Sequence, residues 1–171
     1  MNTFRRSAMS ARSTAVAALA LALLAGCATV SKPLQGEFAA LSPHQAIEQD
    51  STGTAVRWGG RIVRTEPLAD RTCFEVLSSR LDVTGRPAWA GADDTHGRFI
   101  ACRVGFYDPA LFTDKREVTF TGRIEGYENR RIGEYSYRFP RIAADVVYLW
   151  PEESRTRVIT TPAPWPWWGW W

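Results

Sequence analysis

The chain has 171 residues, with 21 Lys+Arg against 18 Asp+Glu and a formal net charge of +3. That length suits one domain with a core of its own. Arg5, Arg6 and Arg12 stand near the N-terminus with no acid around them, so the chain beyond them is balanced in charge and a nucleic-acid-binding reading loses its electrostatic support.

Those arginines form the positive region of a secretory signal. The run from Ala15 to Ala25 is Ala- and Leu-rich and carries no charge. It is too short to cross a bilayer, which needs roughly 20 apolar residues. Leu24-Ala25-Gly26-Cys27 closes it and resembles the lipobox of bacterial lipoproteins. A thiol is the nucleophile that takes up a diacylglyceryl group, and the small residues before it admit the peptidase. The reading is therefore a cleaved signal over residues 1–26, with Cys27 as the lipid-bearing first residue of the mature protein. Acyl chains contribute about 0.8 kcal/mol per buried CH₂, so several together hold a protein firmly at a membrane. Ala28 replaces the Asp that resembles an inner-membrane retention signal, which favours the outer membrane.

With Cys27 lipidated, two of the three cysteines remain, Cys73 and Cys102. An even pair in an oxidising compartment reads as a disulfide; the alternative is two small buried hydrophobes. No CxxC and no Cys/His spacing suggests zinc. No metal and no cofactor is expected.

Residues 27–41 read as the lipidated cysteine and a tether, with packing beginning near Phe38 and Leu41. Ser42 and Pro43 are a helix start, as N-cap and first helical residue, and Asp50-Ser51-Thr52-Gly53 is its stop. Strands are then expected at Thr54–Thr65, Thr72–Arg80 and Gly97–Val104. Gly59-Gly60 predicts a bulge or a sharp coil in the first. Tyr107–Phe112 reads as a short helical turn capped by Asp108. In the fourth strand Val118, Phe120, Gly122, Ile124 and Gly126 alternate with Glu117, Thr119, Thr121, Arg123 and Glu125. Arg130-Arg131 is the expected hairpin turn. A fifth strand runs from Ile132 to Trp150, expected to break at Pro140.

Five strands, one long and glycine-bent, with short helical turns, predict an all-β fold: a small OB-like barrel over residues 42–150. A two-sheet sandwich is the alternative. Residues 151–171 form a Pro/Trp-rich tail, expected to be extended. It carries Trp165, Trp167, Trp168, Trp170 and Trp171, suited to a membrane interface or a partner.

Several runs carry a family resemblance. They are Val56-Arg57-Trp58-Gly59-Gly60-Arg61-Ile62, Gly97-Arg98-Phe99-Ile100-Ala101 and Gly105-Phe106-Tyr107-Asp108-Pro109. Val118–Ile124, Ile132–Pro140 and Tyr148-Leu149-Trp150 follow in order. Together with the lipobox they resemble the Slp family of outer-membrane lipoproteins, named for starvation induction in enteric bacteria. The resemblance spans roughly residues 24 to 150. It implies an envelope protein tied to stationary phase and stress, and it assigns no catalytic residue and no ligand. The cysteine pair departs from the enteric pattern, so a bridge would belong to a subgroup.

Enzyme motifs are few. His44 reads as a surface residue. Asp93, Asp94 and His96 could hold a cation or serve a hydrolase, but a polar turn before a strand is the favoured reading. HExxH, GxSxG and phosphate-binding glycine loops are missing from the sequence. Tyr135, Tyr137 and Phe139 share one strand face, read first as barrel core; the alternative is a surface on which Tyr135 and Tyr137 stack a sugar or another ligand. The expectation is a non-enzymatic, palmitate-bearing outer-membrane lipoprotein facing the periplasm and acting in envelope maintenance or stress. The alternative is a module binding a glycan, peptidoglycan or an envelope protein. The membrane is the expected partner and nucleic acid is not.

Overall fold

A computed structural model describes residues 29–91 and 94–152. The signal segment, Cys27, Asp93 and the tryptophans from Trp165 to Trp171 lie outside the described residues. Helix α1 is Pro43–Gln49. The strands are β1 Ala55–Pro67, β2 Arg71–Leu81, β3 Pro87–Ala88, β4 Arg98–Val104, β5 Glu117–Ile132 and β6 Tyr135–Leu149.

Local chemistry explains where α1 starts and stops. Ser42 Oγ accepts from the Gln45 amide, and Gln45 Oε1 accepts from the Ser42 amide, so two orphan N–H groups are satisfied reciprocally. Pro43 occupies the first turn, where it forfeits no hydrogen bond. Asp50 ends the helix in the left-handed conformation.

The sheet order is β1-β5-β6-β4-β2-β3, and β1 also pairs with β2, which closes a five-stranded barrel with β3 as an extra strand. β4 and β6 run parallel and the other barrel pairs antiparallel. This is an OB-like barrel, as the strand pattern predicts, and not a sandwich. Closure depends on β1, which pairs with β5 over Ala55–Arg61 and with β2 over Gly59–Pro67. At Gly60 a Cβ would stand 1.9 Å from the Leu77 carbonyl oxygen, so only glycine admits the neighbouring strand there. The glycine pair is thus a close approach; the register shift itself falls between Ile62 and Arg64.

Inside the barrel Val56, Trp58, Phe74, Val76, Phe99, Val118, Phe120, Ile124 and Ile142 form one core. Phe74 and Phe99 both pack against Phe120, with centroids 5.4 and 5.9 Å away. α1 covers one end, burying Ala46, and the chain leading into it accepts the Trp58 indole N–H at the Leu41 carbonyl, 2.6 Å away. Tyr107–Phe112 is a hydrogen-bonded turn in which the Ala110 amide meets Asp108 Oδ1 and the Leu111 and Phe112 amides meet the Asp108 carbonyl.

Two sequence expectations are corrected at β5 and β6. The hairpin does not turn at Arg130-Arg131. Both arginines are in β5, Ile132 pairs with Tyr135, and the two-residue turn is Gly133-Glu134 with Gly133 at φ +59°. A positive φ at the first central residue is what a tight hairpin turn needs, and glycine supplies it without strain. Nor does β6 break at Pro140. The parallel ladder to β4 begins at Arg141, so the residue lacking a donor falls just outside it.

Candidate functional site

Two regions of the barrel carry features that a core does not need. The first is a rim where both ends of the described chain meet. The Ser31 amide donates to the Thr84 carbonyl at 3.1 Å. Gln35 Nε2 donates to Val30 O, and Arg57 Nη1 donates to Leu34 O. Leu34 is fully buried. The segment expected to be a tether through residue 41 is therefore docked from Val30 onward.

The turn that receives it is built on Asp82. Its Oδ1 accepts from the Thr84 hydroxyl at 2.6 Å and from the amides of Thr84 and Arg86. Partial burial disfavours the charged carboxylate, but these donors together outweigh burial and hold its pKa below the usual carboxylate range. Gly85, at φ +88°, lies against Leu34 and Val30, where a Cβ would meet Leu34 Cδ1 at 3.2 Å.

The last described residues reach the same place. Trp150 is buried, and its Nε1 donates to Thr119 Oγ1 at 2.9 Å. Thr119 Oγ1 donates in turn to Gly85 O at 2.8 Å. Arg86 pairs with Glu117 at 2.8 Å and donates to Pro151 O, while Arg116 donates to Trp150 O and pairs with Glu152. Beside this rim is an open groove of about 570 Å³, lined in part by Arg61, Arg86, Lys115, Arg116 and Trp150. Most of its charges are paired, Arg86 with Glu117, Arg116 with Glu152 and Lys115 with Asp114, while Arg61 stacks over Trp89.

The second region is the outer face of β2 and β4. Cys73 lies directly opposite Cys102 in the antiparallel ladder, and the two are joined in a disulfide with a Cα–Cα distance of 4.1 Å. Phe139, Ile100 and the disulfide form a separate small core, with Tyr137 and Ile132 packed against it. This corrects the barrel-core reading of the Tyr135-Tyr137-Phe139 stripe. Phe74, Phe99 and Ala101 take the inside of the barrel, and the stripe lies on the outside. Phe139 is buried, Tyr137 is half-buried with its hydroxyl accepting from the Arg98 amide, and Tyr135 is 69% exposed. Strand alternation alone cannot distinguish the inside of a barrel from a covered outer face.

The far part of the β5–β6 hairpin acts as a cover for that face. Arg130, on the same hairpin face as Tyr137, reaches Glu66 at the end of β1 and also pairs with Glu128 at 2.7 Å. Burial disfavours the Arg130 charge, but Glu128 and Glu66 outweigh it and raise the pKa of the guanidinium. In OB barrels the face of the second and third barrel strands is a common site for oligomeric ligands. Here those strands are β2 and β4, and a large part of their outer face holds the chain's own hairpin.

The other residues singled out from sequence are dispersed. His44 is exposed, 3.6 Å from Glu48. His96 is held by its backbone, its amide donating to Ser78 O and its carbonyl accepting from the His44 amide. Asp94 accepts from the Ala90 amide. Among the described residues, no group of three or more His, Cys, Asp and Glu is placed to hold a metal ion, and no helix is long and apolar enough to cross a membrane. Sequence reasoning missed Asp82, Gly85 and Thr119. The Asp82-Val83-Thr84-Gly85 run carries a turn signature, but nothing local shows that both chain ends meet on it.

Fold and surface together define a class: a small closed β-barrel with part of its outer face covered by a hairpin over a disulfide. The sequence model described as "Outer membrane lipoprotein Slp family" matches residues 24–171, and the chain belongs to that family. A Haemophilus influenzae relative described as "Uncharacterized protein" is 34% identical over 131 residues, covering 74% of this chain and 70% of the relative. The Escherichia coli K12 relative "Uncharacterized lipoprotein YeaY" is 28% identical over 148 residues, covering 83% of this chain and 73% of that protein. No solved structure gives a significant match.

Proposed function

We propose that this protein is a non-catalytic outer-membrane lipoprotein, anchored by acyl chains on Cys27, whose barrel faces the periplasm and serves envelope maintenance under starvation or stationary-phase stress. The observation that carries the proposal is the start of the family match at Leu24, the first residue of Leu24-Ala25-Gly26-Cys27. The barrel docks its chain from Val30, so the acyl group would be joined to a folded body with little slack. Intact mass of the mature N-terminus, with membrane fractionation of the wild type and Cys27→Ser, tests it. A diacylated or triacylated Cys27 in the outer membrane and a released serine variant are expected. A serine variant equally membrane-bound would sink the anchor.

A second reading is a binding module for a glycan, peptidoglycan or an envelope protein. The exposure of Tyr135 beside the half-buried Tyr137 favours it, and Trp165, Trp167, Trp168, Trp170 and Trp171 offer a further contact. Pull-down on peptidoglycan fragments, with Tyr135→Ala and with a chain lacking residues 162–171, separates a strand-face site from a tail site. Equal retention of all forms would leave neither group as the contact.

A further inference from the structure

We infer that the rim built on the Asp82–Arg86 turn rests against the phospholipid surface, so that the barrel is held in one orientation on the membrane. The inference rests on the lipid anchor at Cys27 and adds what the geometry demands of it. Ser31 is pinned to Thr84 by a hydrogen bond. Only four residue steps separate Cys27 from Ser31, and a fully extended chain spans at most about 14 Å over four steps. Whatever path that segment takes, acyl chains buried in the bilayer keep Thr84 close to the headgroups.

Three further observations fit a lipid surface as the occupant. Val83 stands at the tip of this turn and is 67% exposed, an apolar side chain aimed outward. Lys32, next to Ser31, and Glu37 are both exposed in the docked segment, and three carboxylates of the rim already have partners. Asp82 is bonded within its turn, Glu117 to Arg86 and Glu152 to Arg116. The chain also leaves the barrel at Pro151 from this same rim, so the tryptophan-bearing stretch beyond it starts where an interfacial contact would be made.

The opposite end of β2 provides the control. Leu68, in the turn between β1 and β2, is also an exposed apolar residue. It lies at the other end of an eleven-residue strand, roughly 30 Å away along the chain direction. Val83→Cys and Leu68→Cys are labelled with a small fluorophore in the full-length, lipidated protein. Cys27 is blocked by lipid and Cys73 and Cys102 by their bond, so each variant offers one thiol. The proteins are placed in phosphatidylethanolamine–phosphatidylglycerol vesicles carrying a headgroup nitroxide lipid. Several-fold stronger quenching at position 83 than at 68 is expected. Equal quenching in vesicle-bound protein of the correct lipidated mass would overturn the orientation and leave the anchor standing. An unmodified Cys27 with no vesicle binding would overturn both.

Discussion

At the residue scale, small groups decide whether the barrel closes and whether its rim holds. Gly60 sits where β1 changes partners, and any Cβ there meets the Leu77 carbonyl. Gly60→Val should cost about 2–4 kcal/mol, or prevent folding, because the clash is with backbone that cannot rotate away; urea denaturation followed by tryptophan fluorescence measures it. Asp82 works through hydrogen bonds to its own turn. Asp82→Ala should cost about 1 kcal/mol, since the freed amides are near enough to solvent to be rehydrated. Its pKa is lowered on folding, so its contribution is fully present above the unfolded value near 3.9 and is lost as pH falls through the folded value below that. The stability gap between the wild type and Asp82→Ala should therefore be constant from pH 7 to 5 and shrink below pH 4 in urea titrations.

At the element scale, the hairpin and the disulfide act as one cover over β2 and β4. Cys73 and Cys102 close a separation of 29 residues, which the chain-entropy argument values at about 3–4 kcal/mol. Replacing both by alanine should lower stability by about that amount, measured by urea unfolding, with dithiothreitol shifting the wild type and leaving the double variant unmoved. Phe139 and Tyr137 pack in the same small core as the disulfide, so the same double variant should expose hairpin amides to faster hydrogen exchange than β1 amides. The charge pairs Arg130–Glu66 and Arg98–Glu75 bridge strands over this outer side. Arg130–Glu66 is partly exposed and contributes little, whereas Arg98–Glu75 is the more buried pair, with Glu75 only 11% exposed.

At the scale of the whole molecule, hydrogen bonds link Trp150 and Ser31, which lie near the two limits of the described residues. Trp150 donates to Thr119, Thr119 to Gly85, and the turn carrying Gly85 receives Ser31. Trp150→Ala should cost about 3–5 kcal/mol as a buried tryptophan. It should also raise exchange of the Ser31 amide more than that of α1 amides, which a merely local cavity would not do. This linkage makes the segment docked from Ser31 onward part of the folded body, which is what the proposed anchoring at Cys27 and the proposed orientation build on.

Information that is local in sequence was legible without the structure. The N-cap at Ser42, the β periodicity from Val118 to Ile124 and the lipobox-like run each depend on neighbours a few residues apart. The strand count, with one glycine-bent member, led to the barrel class for the same reason. What tertiary structure alone decided is which side of each strand faces inward, which strands meet and where the ends lie. Phe74 and Phe139 look alike in an alternating strand, yet one fills the barrel and the other covers its outside. The Cys73–Cys102 juxtaposition exists because β2 and β4 pair in that register, and the shared rim exists because closure brings Gly85 and Thr119 together. Such features come from contacts between residues far apart in the chain, and a period-two pattern, identical on both faces of a covered sheet, carries no record of them.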